Sequence, residues 1–219
     1  MVFSSLQFIF IFMPIFFGCY YIVPDKIKNF ILFIGSLCFY FVGTIHNPEH
    51  FILFILSIVA DFAIGIWIEK FPARKKVLLA TGIIFHLINF AVFKYSGFVI
   101  NEMGRLNPSF NFTADIVLPI GISFYTFQGI SYIVDVYRGN AKAERSLLRY
   151  AVYISMFEQL IAGPIVTYGQ VEKELYKRKI KVSSVLKGMG VFIFGLGLKV
   201  LLANPIGKLW SQTCAIGFE

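Results

Sequence analysis

From Phe51 to Ile68 the chain runs for 18 residues with a single charged side chain, Asp61. About 20 apolar residues in a helix cross the hydrocarbon core of a bilayer, within a workable range of about 17–25. Further apolar segments run from Leu6 to Val23, Phe30 to Val42, Val77 to Phe93, Ile116 to Val136, Leu147 to Tyr168 and Val182 to Ala203. Of the 219 residues 58% are hydrophobic, 26 are phenylalanine and only 15% are charged, against about 25% charged in an ordinary soluble domain. A soluble fold has no means of hiding so much apolar surface. The composition excludes disorder, a disulfide-stapled secreted module and an ordinary soluble enzyme, and it makes lipid the solvent for much of the chain.

The expected fold class is therefore all-α: a polytopic membrane helical bundle, with no boundary that would divide it into two domains. Leu6–Val23 reads as a retained helix rather than a signal peptide, because residues 1–5 carry no Lys or Arg and no A-x-A site follows. Pro14 is expected to kink it. Cys19, Cys38 and Cys214 form no CxxC pair and read as small apolar residues. The net charge of +8 lies in short basic runs between apolar segments, which suits anionic lipid and the positive-inside bias rather than nucleic acid.

Counting those runs orients the chain. Residues 24–29 hold two Lys or Arg, 43–50 none, 69–76 four, 94–115 two, 138–149 four and 169–187 six. The first five counts alternate if the N-terminus is extracytoplasmic and 24–29 cytoplasmic. The sixth breaks the alternation unless 147–168 dips into the membrane and returns, and the Gly163-Pro164 pair suits such a re-entrant, broken element. Irregular backbone at membrane depth is tolerated only where it is buried in protein or lines a wet cavity. The stretches Asn101 to Asp115 and Gln170 to Lys181 read as an exposed loop and a charged linker, with Glu172 to Lys179 alternatively an amphipathic element on the headgroups.

Eight polar residues interrupt the apolar segments: Asp61, His86, Asn89, Gln128, Asp135, Glu158, Gln159 and Lys199. A charge at the bilayer centre costs roughly 2.5–3.5 kcal/mol on insertion scales, so such residues pair or line a path. Asp61 with Lys199 is one such pairing. As a set they suit a polar cavity, with Gln128, Asp135, Gln159 and Lys199 as its tunnel-lining or substrate-path residues. His46 and His50 are spaced for a helix-borne metal pair, but Pro48 between them argues against one, and no metal site is expected. Gly195-Leu196-Gly197 reads as a packing surface rather than a dinucleotide loop. Asn111-Phe112-Thr113 matches a glycosylation sequon.

Four stretches carry a resemblance: Met1-Val2-Phe3-Ser4-Ser5 before a helix ending Tyr20-Tyr21-Ile22-Val23-Pro24; Leu118 to Gln128 (LPIGISFYTFQ), continuing to Asp135-Val136-Tyr137-Arg138-Gly139; Gln159 to Val166 (QLIAGPIV); and Lys199 to Pro205 (KVLLANP). Together they resemble the membrane-bound O-acyltransferase (MBOAT) family, in its alginate O-acetyltransferase-like branch. The resemblance implies a multi-helix protein with a central funnel. Such a protein moves an acyl group, usually acetyl, from a cytoplasmic thioester such as acetyl-CoA to a hydroxyl-bearing cell-surface polysaccharide or to an extracytoplasmic acetyltransferase partner. An acyl carrier protein would be a further partner, no cofactor stays bound, and a cell-membrane location follows. D-alanyl transfer to teichoic acid by a related MBOAT, a transporter or channel, and a non-catalytic membrane scaffold are the alternatives.

Two positions depart from the family pattern: Glu158 stands where members usually have proline, and Thr167 where they have arginine. Members also run to roughly twice this length. The family's acyl-transfer histidine is expected beyond Glu219, since none of His46, His50 and His86 lies in its motif. The chain is thus expected to be the N-terminal part of one transmembrane domain, with no catalytic residue of its own, and inactive alone.

Overall fold

The computed structural model describes residues 3–106, 117–160, 163–178 and 180–216, and their regular structure is helical throughout. The helices are α1 (Met13–Ile22), α2 (Asp25–Gly43), α3 (Pro48–Lys70), α4 (Lys75–Leu106), α5 (Ile122–Arg138), α6 (Leu147–Ser155), α7 (Phe157–Leu160), α8 (Tyr168–Tyr176), α9 (Val182–Leu198) and α10 (Asn204–Ile216). The chain forms two units: Tyr20–Lys177, and Met1–Cys19 with Arg178–Glu219.

Within the larger unit, α3 is the central element and packs against α2, α4, α5 and α6. Its ends follow from local chemistry. Pro48 opens the first turn, where no N–H is needed, Glu49 faces the positive end of the helix dipole, and Lys70 faces the negative end. Helix α5 stops at Gly139, whose left-handed conformation lets the Asn140 N–H reach back to the Asp135 carbonyl at 2.9 Å. Before α5 the chain turns sharply at Pro119-Ile120-Gly121. Gly121 has φ 71°, and a Cβ there would collide with the Leu160 carbonyl oxygen, so the turn and its packing both call for glycine.

Four stretches among the described residues are long and apolar enough to cross a membrane: Asp25–Gly43, Pro48–Lys70, Pro72–Leu106 and Val182–Ala215. The larger unit carries many exposed Ile, Leu and Phe side chains, among them Ile52, Leu56, Ile84 and Phe98. That surface suits lipid and would be insoluble in water.

In the smaller unit a π-helical turn, Phe8–Phe12, precedes α1. Pro14 has no N–H to give the ladder, and the backbone widens just ahead of it, where sequence places the kink. Phe8, Phe12 and Phe16 stack at one-turn spacing, with centroids 5.5 and 5.8 Å apart. A second π turn, Lys199–Ala203, joins α9 to α10, so the last apolar helix runs well beyond Ala203.

Two expectations are corrected, and a third falls outside the described residues. Helix α4 continues through Leu106 instead of yielding to a loop at Asn101, because the apolar run gives way to Glu102 and Arg105, which pair at 2.7 Å on the helix surface. The sequon at Asn111 lies outside the described residues. The supposed linker from Gln170 is the helix α8, opened by Gln170 Oε1 accepting the Thr167 N–H at 2.9 Å.

Candidate functional site at an interrupted helix

Helices α6 and α7 would be one helix but for Met156, whose φ/ψ of −46°/112° is extended. In an unbroken helix the Phe157 N–H would donate to the Tyr153 carbonyl. Here each half of that bond finds a side chain on another helix. The Phe157 N–H donates to Ser36 Oγ of α2 at 3.4 Å, and the Tyr153 carbonyl accepts from Gln128 Nε2 of α5 at 3.1 Å. Gln128 Nε2 also lies 3.5 Å from Gln159 Oε1 on α7. Ser36 and Gln128 are buried. A helix broken inside lipid needs such substitutes, since no water is on hand to satisfy the freed groups.

The path of this segment supports the re-entrant reading. Helix α6 starts beside Glu144, at the end of the unit that holds the N-terminus of α2 and the C-termini of α3 and α5. Leu160 closes α7 against Gly121, at the opposite end. The chain then comes back: the Val166 carbonyl accepts from Tyr153 Oη at 2.9 Å, and the Leu175 carbonyl accepts from Asn29 Nδ2 at 2.9 Å, near the start of α2. Fourteen residues of near-continuous helix reach about 20 Å, roughly two thirds of a hydrocarbon core. The Gly163-Pro164 pair that sequence points to lies outside any helix, and an earlier break falls at Met156. That pair is exposed in the returning segment, with Gly163 at φ 126°.

Beside the break lies a buried histidine–carboxyl pair. His86 Nε2 of α4 and Asp61 Oδ1 of α3 are 2.6 Å apart, both 1% exposed. This corrects the pairing of Asp61 with Lys199. Helices α3 and α4 are antiparallel neighbours across a short turn, so the nearer partner takes the carboxylate. Helix α5 can approach only because it presents Gly129: a Cβ there would overlap the Asp61 carboxylate and come within 2.8 Å of His86 Nε2.

A second polar centre sits where α5, α6 and α8 meet. The Glu144 carboxylate, buried, accepts Arg149 Nε at 3.0 Å and Arg149 Nη2 at 2.7 Å, the N–H groups of Arg145 and Ser146 at 2.7 and 2.8 Å, and the Tyr168 hydroxyl. Its own N–H donates to Tyr132 Oη at 3.0 Å. The Arg149 guanidinium lies over the Tyr176 ring, 4.1 Å from its centroid. Burial alone would raise the Glu144 carboxyl, but the hydrogen bonds from Arg149, Tyr168 and the Ser146 N–H overcome that and hold it down at about 2. Glu69 adds a second anchor on the same loop, accepting from the Ala143 N–H and from Arg145 Nη2.

Of the residues singled out by sequence, Gln128 and Gln159 meet at the break. Asp135 is half-buried in the last turn of α5, on the side of the loop that Glu144 organises. Lys199 is exposed and belongs to the smaller unit. Sequence reasoning missed Ser36, Tyr153, Glu144 and Arg149. The signal for the last two was the spacing of a carboxylate and an arginine five apart around the Ser146 helix start, which reads equally as a solvated loop.

These features define a class: a polytopic helical membrane protein in which a broken helix is held by polar side chains from neighbouring helices. Along 99% of its length the chain is 34% identical to the probable alginate O-acetylase AlgI of Pseudomonas aeruginosa and 33% identical to that of Azotobacter vinelandii. Over 93% of its length it is 28% identical to the peptidoglycan O-acetyltransferase of Helicobacter pylori. These likenesses fit the alginate O-acetylase-like branch of the membrane-bound O-acyltransferases that the sequence resembles. It spans 42–45% of the length of these relatives. No family model and no solved structure matches it.

Proposed function

We propose that the chain forms part of an integral-membrane O-acyltransferase that moves acetyl groups from a cytoplasmic thioester, acetyl-CoA by preference, to hydroxyls of a cell-surface polysaccharide. In such a transfer the thioester C–S bond breaks, an ester C–O bond forms, and the hydroxyl proton passes to a base. The residues described here would shape the path and hold it open; the proton-accepting histidine of the family would come from elsewhere in the full-length protein. The relatives' names favour acetyl over other acyl groups and a polysaccharide over a lipid acceptor. An extracytoplasmic acetyltransferase or an acyl carrier protein fits the two ends of the route. By the positive-inside bias the basic loops 24–29, 69–76 and 138–149 face the cytoplasm of a cell membrane, which leaves the N-terminus outside.

The observation that carries this reading is the severed backbone bond between Phe157 and Tyr153, taken up by Ser36 and Gln128. Irregular backbone at this depth belongs beside a cavity or in the protein interior. Gln159 reaches the same point and is half-buried. Replacing Gln159→Leu in the full-length protein is expected to cut polysaccharide acetylation several-fold while membrane insertion stays intact. Acetylation at the parental level, measured as ester released by mild alkali from the isolated polysaccharide, removes Gln159 from the path.

A further inference from the structure

Several buried hydroxyls around the break are used by none of the bonds above. Tyr40 of α2 and Tyr125 of α5 are 0% and 2% exposed. Both rings pack on Phe54 of α3, with centroid distances of 4.3 Å and 5.2 Å. Neither phenol oxygen has a hydrogen-bond partner among the described residues, and the same holds for the buried Ser155 Oγ. Their places in the chain bring them to the break. Tyr40 stands one turn beyond Ser36 on the same face of α2. Tyr125 stands one turn ahead of Gln128 on the same face of α5, and Ser155 is the last residue of α6, next to Met156.

A buried hydroxyl left without a partner is costly, and three of them around one backbone break call for an occupant. All three groups can donate a hydrogen bond. The Lys and Arg residues of α2, α3, α5 and α6 (Lys26, Lys28, Lys70, Arg138, Arg149) all lie toward the opposite end of those helices. An anion at the break would therefore find no cation on these helices to neutralise it. We propose that Tyr40, Tyr125 and Ser155 form a donor site for an uncharged oxygen acceptor: the carbonyl oxygen of an acyl group in transit, or a water molecule. Only the acyl identity rests on the acyltransferase reading; the donor site does not.

The test replaces Tyr40→Phe, Tyr125→Phe and both together in the full-length protein, changes that keep ring volume and remove only the hydroxyl. Two quantities are read: thermal unfolding of the purified protein in detergent with acetyl-CoA present, and acetyl transfer from acetyl-CoA to polysaccharide in proteoliposomes. A ligand-bound hydroxyl gives a Tm lowered by about 2–4 °C per substitution and transfer lowered about fivefold. A lowered Tm with parental transfer assigns the site to water. A lowered Tm in a parent that transfers no acetyl leaves the donor site standing and removes the acyltransferase reading. An unchanged or raised Tm in both single variants shows hydroxyls with nothing to bind, and overturns the proposal whatever the transfer rate.

Discussion

Removing one proton-accepting charge from the loop between α5 and α6 should loosen the whole re-entrant segment. Glu144 holds α6 through Arg149, α8 through Tyr168, and α5 through its own N–H on Tyr132. Its carboxyl lies near 2 against an ordinary value of 4.5. At about 1.36 kcal/mol per unit, that difference amounts to about 3 kcal/mol of stability drawn from the ionised form. The Glu144 side chain is 0% exposed and Arg149 27% exposed, so solvent screens the pair only in part.

The sign follows from the direction. A carboxyl held below its unfolded value stabilises fully above about pH 4.5, and the contribution fades as pH falls through about 2. Glu144→Gln is therefore expected to lower the Tm at pH 7 by several degrees, at about 2–4 °C per kcal/mol for a chain of this size. The gap between parent and variant should narrow steadily below pH 4.5. Thermal unfolding in detergent, followed by tryptophan fluorescence across that pH range, measures both. Adding Arg149→Leu should restore part of the loss, because a half-buried guanidinium without its carboxylate is worse than none. A variant as stable as the parent at pH 7, or a deficit that does not change with pH, would refute the reasoning.

Gly129→Ala should be among the most damaging single changes, costing about 2–4 kcal/mol, because the added methyl meets the Asp61 carboxylate and His86; folded yield in membranes checks it. His86→Leu leaves Asp61 buried and unpaired and should cost about 3–5 kcal/mol, whereas the double change with Asp61→Leu should cost clearly less; comparing Tm values of the three variants decides this. Gly139→Ala, where no atom lies within 4 Å of the new Cβ, should cost only about 1 kcal/mol from its left-handed backbone, and normal folded yield is the expected result.

The long apolar helices could be read because lipid imposes a length that a hydropathy count detects. The run Phe51 to Ile68 lies inside α3, which extends three residues earlier and two later over Pro48, Glu49, His50, Glu69 and Lys70. Those flanks are polar, so the apolar count stops short while the backbone does not. The same count says nothing about where a helix breaks. Gly163-Pro164 is a local signal, and the break at Met156 depends instead on Ser36, 121 residues before the amide it accepts. Asp61 went to the wrong partner for a similar reason. Charge alone points to a lysine, but the adjacent antiparallel helix offers His86 at close range.

Glu144 shows why the second polar centre stayed hidden. In sequence it stands among Lys142, Arg145 and Arg149 in a short polar loop, the ordinary setting of a solvated charge. Its burial is created by Tyr132, Tyr168 and Tyr176, which lie 12, 24 and 32 residues away and converge only once the chain has entered and returned. The centre and the break are thus linked by one constraint. A segment that turns back inside lipid must have its severed backbone bond satisfied at depth, and both of its ends held at the same surface. Ser36 and Gln128 do the first, and Glu144 with Arg149 does the second. Losing either should open the fold at the same element, α6 to α8, rather than at the spans around it.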